Sequence, residues 1–445
     1  MSRPRLAAAE GDPARDLVFA ELDRLTAPFR GPIGIAISGG SDSTALAVLA
    51  AEWADGRPLR AVTIDHGLRR EARQEAEFAG ALCHDLGIAH TTLTWAEGPK
   101  ATELAGNLSA KSRAARHRLI AGWAMPLGIS AVLLGHTLDD QAETVLMRLM
   151  RGSGVDGLAG IRTAVELGGA CWLRPLLGTR RSALRALLEA RGRGWIEDPT
   201  NDDESFDRVR VRKTIKSLDL DVDRLAQTAG HMARQRRVLE NDRDRLAADA
   251  VRIGPAGEMT IELERFDAAE EDTRLAVLAD AIAWIGGASY RPRFASLRDL
   301  LDRPDGRTLG GVLLLQRRGR LTLCRELAAV APECHLETRE AVWDNRWCVT
   351  RAPQTAPQTA PLSIAALGEA GLARLRVLRD RIGQPSAVWR SAPRAAQIAA
   401  PGLWRDGALV AAPMAGLLPS HSGEDEAMTL TLLAPPARFR RCMRL

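Results

Sequence analysis

The chain has 445 residues, 46% of them hydrophobic, and a formal net charge of +5 at pH 7. This length exceeds that of one ordinary hydrophobic core, so two or three domains are expected. No apolar run approaches about 18 residues, which argues against a membrane protein, and the interrupted N-terminus predicts no secretory signal. The modest basic balance permits a nucleic-acid partner without requiring one.

The six cysteines are spread along the chain without a C-x-x-C pair. This spacing argues against a zinc site or a disulfide framework and fits a reducing, cytoplasmic compartment. We therefore expect each cysteine to be structural and unpaired.

The first chemical motif is the stretch IGIAISGGSDSTALAVLA, residues 33–50. Its alternating isoleucines predict a buried strand, and Gly39-Gly40 would let the following turn approach a ligand closely. Serine hydroxyls and the free N–H groups of the next helix would then hold an oxyanion. An ordinary strand-to-helix turn with an N-cap has the same residues, so both interpretations stand on this motif alone. The stretch lacks the spacing of a P-loop and of a dinucleotide-binding loop.

Strands and helices then alternate along the first half of the chain. This alternation predicts βαβ units and a parallel sheet with helices on both faces. Ligands of such sheets bind beyond the carboxyl ends of the strands, so the Ser-Gly-Gly loop, residues 65–67 and His136 are expected to share one crevice. The predicted strands are 33–37, 59–65, 88–95 and 129–135, and the helices between them include 71–87 and 107–124.

Three acidic residues, Asp139, Asp140 and Glu143, follow His136 in the first turns of a predicted helix. Their spacing places them on one face. Acids at a helix N-terminus are also favourable with the helix dipole, and Asp139 alone could serve as a cap. Three carboxylates beside a histidine exceed that need, and they predict a site for Mg²⁺ with phosphates or for a cationic substrate. A second glycine-rich loop follows at residues 151–157.

The second half of the chain changes character from about residue 221. Charge-rich helical patterns cover 222–251 and 268–285, and a β-hairpin is expected to turn at Arg318-Gly319. The tract APQTAPQTAP is typical of a loop or spacer, and strand-like pieces lie around it. We expect three domains: an α/β domain over 1–218, a mainly helical domain over 219–330 and a small β-rich domain over 331–445.

Together the motifs resemble those of the tRNA(Ile)-lysidine synthetase family, within the N-type ATP pyrophosphatases. SGGSDS resembles the pyrophosphate loop, or PP-loop, of these enzymes. The resemblance covers about residues 33–212 in the family's order and is loose elsewhere. It implies a parallel-sheet PP-loop ATPase domain, similar to adenine nucleotide alpha hydrolases, and tRNA contacts in the helical domain. The other matching segments are DHGLR, GNLSAKSRAARHR, GHTLDDQAETVLMRLMRGSGVDGLAGI, RPLL and WIEDPTNDDESFDRVRVR.

The resemblance implies ATP-dependent ligation of free L-lysine to C2 of the wobble cytidine of tRNA(Ile) with a CAU anticodon. ATP would adenylate the base and release pyrophosphate, and the lysine ε-amine would then displace AMP to leave lysidine. The implied cofactors are ATP and Mg²⁺, and the partners are that tRNA and lysine in the cytoplasm, with no membrane. A homodimer is compatible with the resemblance.

The resemblance also implies roles for single residues. Asp140 and Glu143 would face the lysine cation, which would select a diamino acid because a neutral competitor leaves both carboxylates without a partner. Fixed guanidinium groups would stabilise the charge that develops on the α-phosphate. The catalytic residues would be Asp42, Arg116 and Arg208, with Arg113 and Arg212 in support. The ATP-binding residues would be Ser38, Gly39, Gly40, Ser41, Asp42 and Ser43, with His136 near the nucleotide and Asp42 holding Mg²⁺.

Two positions depart from the family pattern, since His117 stands where tyrosine is usual and Val209 where asparagine is common. Other PP-loop enzymes are the nearest alternatives. A tRNA thiolase would need catalytic cysteines, usually paired, and an amidotransferase would need a glutaminase domain with a nucleophilic cysteine. A non-catalytic tRNA-binding protein on the same fold is a further alternative, which the intact acidic and arginine positions disfavour.

Overall fold

A computed structural model describes residues 12–65, 71–96, 108–197, 207–288, 291–337, 340–351, 361–378, 386–418 and 428–433, together with Phe439. These residues form two compact units that divide between Arg237 and Val238. The division falls within a 29-residue helix, Val222–Ala250. The three-domain division at residues 218 and 330 stays a prediction. His66-Gly67, the whole of PTNDDESF and all of the APQT tract except Pro361 lie outside the described residues.

The first unit is built on a six-stranded sheet. Its strands are β1 (Ile33–Ala36), β2 (Leu59–Asp65), β3 (Ala89–Thr94), β4 (Ala131–Leu133), β5 (Ala164–Leu167) and β6 (Ala170–Leu173). The order across the sheet is β3-β2-β1-β4-β6-β5. All neighbouring pairs are parallel except β5 with β6, which are antiparallel at one edge. The predicted parallel sheet is confirmed; β2 has the predicted bounds, and β1, β3 and β4 are shorter than predicted.

Helices cover both faces of this sheet. Leu133 of β4 packs in one hydrophobic layer with Leu46 and Leu187. Its neighbour Val132 packs in the opposite layer with Ile120. This alternation follows from the pleat of a strand, in which successive side chains point to opposite faces. The helices are α1 (Pro13–Thr26), α2 (Ser41–Trp53), α3 (Glu71–Asp85), α4 (Leu108–Ala124), α5 (Leu138–Met150), α6 (Val155–Leu158), α7 (Arg181–Ala190), α8 (Asp207–Ser217) and α9 (Val222–Ala250).

In its described residues, the second unit combines further helices with three antiparallel sheets. The helices are α10 (Leu263–Asp267), α11 (Glu271–Ile285), α12 (Phe294–Asp302), α13 (Gly368–Val377), α14 (Ala387–Ser391) and α15 (Arg394–Ala399). The first sheet, in the order β7-β8-β11-β10-β9, contains β7 (Val251–Ile253), β8 (Met259–Glu262), β9 (Thr308–Leu309), β10 (Val312–Arg317) and β11 (Arg320–Arg325). The predicted hairpin is confirmed, because β10 pairs with β11 around Arg318 and Gly319, whose φ angles are +48° and +72°.

The two remaining sheets lie towards the end of the chain. One has the order β12-β15-β16-β17 and the other β13-β14-β18. The β-rich C-terminal region expected from the sequence is therefore present. The strands are β12 (Cys334–His335), β13 (Glu340–Trp343), β14 (Trp347–Arg351), β15 (Leu362–Ala366), β16 (Pro401–Arg405), β17 (Ala408–Ala411) and β18 (Met428–Leu432).

Within the described residues, no helix has the length and apolar character needed to cross a membrane. The five cysteines in this part of the chain are free thiols. Burial raises the pKa of Cys83 to about 11 and is the leading cause that raises the pKa of Cys324 to about 12. Both thiols are therefore protonated at neutral pH.

Candidate active site

The Ser-Gly-Gly-Ser-Asp-Ser loop joins β1 to α2 at the carboxyl end of the strand. Gly39 has a φ of +85°, a left-handed conformation that favours glycine. Its carbonyl oxygen accepts hydrogen bonds from Ile196 N, at 2.9 Å, and from Thr44 Oγ1, at 3.2 Å. Hydrogen bonds from Thr44 in the following helix and from Ile196, far away in the chain, thus hold the turn in place.

The loop closes on itself through Ser43. Ser43 Oγ accepts a hydrogen bond from Ser38 N at 3.1 Å and donates one to the Gly40 carbonyl oxygen at 3.1 Å. Gly40 is the N-cap residue of α2, and no side chain among the described residues caps this helix. The first turn of α2 therefore presents backbone N–H groups and the positive end of its dipole, which together suit a phosphate.

The three predicted carboxylates on α2 and α5 meet at an arginine that the sequence analysis did not single out. Arg181 Nε donates to Asp42 Oδ2 at 2.8 Å. Arg181 Nη2 lies 3.5 Å from Asp140 Oδ2, and Nη1 lies 3.7 Å from Glu143 Oε1. The exposed fractions of the Asp42, Asp140 and Glu143 side chains are 18%, 7% and 2%. The structure thus brings these carboxylates into one site, centred on the first residue of α7.

Two predicted arginines of α8 complete this cluster. Arg212 Nε donates to Glu143 Oε1 at 2.6 Å, and Arg208 Nη1 lies 3.8 Å from Asp140 Oδ1. Together with Arg181 they set three guanidinium groups against three carboxylates. We call these six residues the acid–arginine cluster: Asp42, Asp140, Glu143, Arg181, Arg208 and Arg212.

Two further contacts fix the acidic helix. Thr137, the N-cap residue of α5, donates its backbone N–H to Asp140 Oδ2 at 2.8 Å in a capping box. Asp139 Oδ2 accepts the Arg181 N–H at 2.7 Å. Asp139 is therefore a cap, as its position allowed, but it caps α7 rather than its own helix. This contact also holds the backbone of Arg181 beside the carboxylates.

The pKa values of the carboxylates diverge because burial and the arginines oppose each other. Burial raises the pKa of Asp42 against the attraction of Arg181. It likewise raises the pKa of Glu143, against the hydrogen bond and charge of Arg212. Burial alone would raise the pKa of Asp140, but Arg181 and the Thr137 N–H help to hold that pKa below its ordinary value. Asp140 is thus the most firmly ionised of the three.

His136 is half-buried and lies within electrostatic range of Asp140 and of three arginines. The pKa of His136 is lowered to about 4, chiefly by burial; Asp140 opposes this effect, and Arg174, Arg208 and Arg113 add to it. The imidazole is therefore neutral at pH 7. Its Nδ1 is buried and has no hydrogen-bond partner among the described residues.

The predicted arginines of α4 interact electrostatically with one another and with this site. Desolvation lowers the pKa of Arg116, and repulsion from Arg113 and Arg208 adds to the effect. The Arg116 side chain is nevertheless exposed to solvent. Arg113 is thus near enough to His136, and Arg116 near enough to Arg113 and Arg208, for their charges to interact. We call Arg113, Arg116 and Arg208 the positive wall. His117, the departure from the family's tyrosine, packs against Trp172 with ring centroids 4.7 Å apart and the rings tilted by 50°.

The remaining loop serines differ in exposure. Ser38 is exposed, whereas Ser41 is buried, donates to Asp42 Oδ1 at 3.2 Å and accepts from Arg185 Nε at 3.3 Å. The loop, His136 and the carboxylates therefore all lie at the carboxyl edge of the sheet, as predicted. Residues 66–67, expected in the same crevice, lie outside the described residues. In the described part of the chain, no group of three or more His, Cys, Asp or Glu side chains is arranged to hold a metal ion.

Comparison with known proteins places this site in a family. Residues 19–218 match the PP-loop domain family. The tRNA(Ile)-lysidine synthase of Ruegeria pomeroyi is 37% identical over 423 residues, which cover 93% of this chain and 96% of the relative. That of Methylobacterium nodulans is 40% identical over 328 residues, covering 70% of this chain and 96% of the relative. Because the similarity spans nearly the whole length of both chains in the first case, this chain belongs to the tRNA(Ile)-lysidine synthase family of enzymes.

Proposed function

We propose that this protein ligates free L-lysine to C2 of the wobble cytidine of tRNA(Ile) with a CAU anticodon. ATP adenylates the cytidine and releases pyrophosphate, and the lysine ε-amine then displaces AMP. The observation that carries the proposal is the meeting of the PP-loop with the acid–arginine cluster at one edge of the sheet. Family membership supplies the substrate classes.

The ATP phosphates would bind at the first turn of α2. The N–H groups there and the hydroxyls of Ser38, Ser41 and Ser43 supply donors to phosphate oxygens. Mg²⁺ needs only one or two carboxylates when phosphates provide further oxygen ligands, and Asp42, a partly exposed carboxylate beside the loop, fits that need. Mg²⁺ bound there would neutralise phosphate charge.

The arginines of the positive wall would assist adenylation. Negative charge develops at the α-phosphate as pyrophosphate leaves, and Arg116 and Arg208 would stabilise that charge without reorganising. Arg113 and Arg212 would support this arrangement. His136, neutral at pH 7, would contact the nucleotide through hydrogen bonds rather than through charge.

Lysine would be recognised by Asp140 and Glu143. Both carboxylates are almost completely buried, and a neutral amino acid offers no cation that could pair with them in place of an arginine. The charge-rich helical region over 219–330 would contact the tRNA. All of these steps would take place in the cytoplasm.

The state of the cysteines disfavours a tRNA thiolase. Such an enzyme uses thiolates, whereas burial raises the pKa of Cys83 to about 11 and also raises the pKa of Cys171. Neither Cys83 nor Cys171 is therefore an activated thiol.

The deciding experiment is incorporation of labelled lysine into bulk tRNA by the purified protein with ATP and Mg²⁺. Labelled arginine and a reaction without ATP serve as controls. We expect label in tRNA only with lysine and ATP. Pyrophosphate release that depends on tRNA but leaves no lysine in the tRNA would contradict the proposed nucleophile.

A further inference from the structure

Arg181 contacts all three carboxylates of the acid–arginine cluster with three different nitrogens. Its Nε binds Asp42 on the PP-loop helix, while Nη2 and Nη1 face Asp140 and Glu143 on α5. It is therefore the side chain that joins the proposed ATP subsite to the proposed lysine subsite.

The charges of the cluster balance before any substrate enters. Three carboxylates face three guanidinium groups, and the side chains of Asp140 and Glu143 are only 7% and 2% exposed. A lysine ammonium added to this arrangement would bring an uncompensated positive charge against guanidinium groups in a poorly solvated place. Such a charge is costly because nearby solvent cannot screen it. One guanidinium must therefore leave the carboxylates when lysine binds.

The geometry identifies Arg181 as the group that leaves. Arg212 is held by a 2.6 Å hydrogen bond to Glu143, whereas Arg181 approaches Asp140 and Glu143 only at 3.5 and 3.7 Å. Arg208 faces Asp140 from α8 at 3.8 Å, on the carboxylate oxygen other than the one that Arg181 approaches. Arg181 has its shortest side-chain contact, 2.8 Å, with Asp42 beside the phosphate loop. A bound triphosphate would place new anionic partners on that side of the guanidinium.

We propose that Arg181 is exchanged for lysine and thereby makes lysine binding conditional on ATP. Without nucleotide, Arg181 occupies the carboxylates that would bind the lysine ammonium. With ATP bound, its guanidinium turns to the phosphates and leaves Asp140 and Glu143 to the incoming cation. This proposal rests on the proposed function and adds a binding order to it, ATP before lysine.

The test is equilibrium dialysis of labelled lysine against the full-length protein, with and without Mg²⁺ and α,β-methylene ATP, which resists cleavage at the bond broken in adenylation. For the wild type we expect the nucleotide analogue to tighten lysine binding about ten-fold or more, within the range usual for coupled sites. For Arg181→Gln we expect lysine to bind without nucleotide, and the analogue to change its affinity less than about three-fold.

The matched control is Arg180→Gln. Arg180 precedes Arg181 but pairs with Asp139 and Asp223 rather than with the cluster carboxylates. This variant should keep the wild-type dependence on nucleotide. Arg181→Lys keeps the charge but cannot span three carboxylates, so it should show a reduced nucleotide effect, and it serves as the test variant if Arg181→Gln does not fold.

Three results would overturn the proposal. If the wild-type protein binds lysine equally well with and without the analogue, ATP does not need to bind before lysine. If a folded Arg181 variant loses lysine binding both with and without the analogue, Arg181 binds lysine rather than competing with it. If Arg181→Lys shows the full wild-type effect of the nucleotide analogue, Arg181 is not the group that lysine replaces. Each of these results is compatible with the proposed function as long as the wild-type protein still incorporates labelled lysine into tRNA. If the wild type does not incorporate lysine into tRNA, the proposed function itself is contradicted.

Discussion

Gly135 lies directly against the backbone of Ser43, so that a Cβ on Gly135 would stand 3.0 Å from both Ser43 Cα and Ser43 N. The contact joins the segment after β4 to the first turn of α2. The contact sets the distance between His136 and the phosphate loop, because the backbone atoms of Ser43, unlike those of a side chain, cannot move aside through a change of rotamer.

Gly135→Ala should therefore displace the start of α2. We expect ATP to bind about ten-fold weaker, the loss that follows from about 1.4 kcal/mol of misplacement, with the fold retained. Gly122→Ala in α4 is the control, since a Cβ there meets nothing within 4 Å. Calorimetric titration with ATP measures the effect. Equal ATP affinities for the two variants would show that the close approach has no bearing on nucleotide binding.

Asp42→Asn should abolish adenylation while leaving tRNA affinity largely unchanged. The substitution removes the carboxylate proposed to hold Mg²⁺ and the partner of Arg181, whereas the tRNA contacts are proposed for the helical region over 219–330. We expect tRNA-dependent pyrophosphate release to fall by about 100-fold or more, the scale of losing one preorganised electrostatic contact. Asp16→Asn on the exposed face of α1 is the control. A loss of tRNA binding in Asp42→Asn would argue that the residue shapes the tRNA surface instead.

Glu143→Gln should raise the lysine requirement before it affects ATP. Glutamine keeps the volume and can still accept the Arg212 hydrogen bond, but it lacks the charge that attracts the lysine cation. We expect the KM for lysine to rise about ten-fold, equivalent to about 1.4 kcal/mol, with a smaller change in the KM for ATP. Steady-state kinetics with each substrate varied in turn gives both values. An unchanged lysine dependence would remove Glu143 from the lysine site.

His136 should make the folded protein less stable in mild acid. Its folded-state pKa of about 4 lies below its ordinary value of 6.5. Between these values the unfolded chain binds a proton that the folded chain does not, so the free energy of unfolding falls as the pH is lowered. Between pH 7.5 and pH 5 this single group accounts for about 2 kcal/mol. The raised pKa values of Asp42 and Glu143 act in the opposite direction, so the comparison with His136→Asn isolates the histidine. Urea denaturation at both pH values should show a smaller loss in that variant, and identical losses would contradict the neutral histidine.

In the second unit, Asp344→Asn should be strongly destabilising. Arg325 donates to both Asp344 oxygens at 2.9 and 2.8 Å, and the two side chains are only 9% and 4% exposed. Asparagine tolerates the left-handed backbone at this position, where φ is +51°, so the lost charge accounts for the effect. Breaking a buried pair of this kind costs about 3 kcal/mol or more.

The control is the surface pair of Glu369 with Arg394, whose side chains are 61% and 55% exposed. Glu369→Gln should change the free energy of unfolding by less than about 1 kcal/mol. Scanning calorimetry of both variants measures the difference. Equal shifts in the transition temperature would show that burial of the Arg325–Asp344 pair adds nothing to its effect on stability.

The sequence predicted those parts of the fold and site whose signal is local. The apolar alternation of β1 and the glycines that follow it stand within a few residues of one another, and so do the acids of α5. The parallel sheet then brought these segments to one edge, which follows from the βαβ connections alone.

Arg181 was missed because its partners are far away in the chain. It lies 139 residues from Asp42, and its own segment contains several other arginines. One signal was available. Arg180 and Arg181 begin α7, which has no acidic residue in its first turn, and cations there oppose the helix dipole. A positive charge in that unfavourable position indicates anions from another element, here Asp139 and the three carboxylates.

The order of the cluster residues along the chain has a consequence for synthesis on the ribosome. Asp42, Asp140 and Glu143 emerge before Arg181, and Arg212 emerges last of the six. A nascent chain that ended after β6 would already contain every strand of the first sheet, yet it would have to bury its acids without the guanidinium groups that neutralise them. Buried charge without a partner is strongly destabilising. The first unit should therefore reach its native state only after α8 has left the exit tunnel, which ties completion of the active site to completion of the fold.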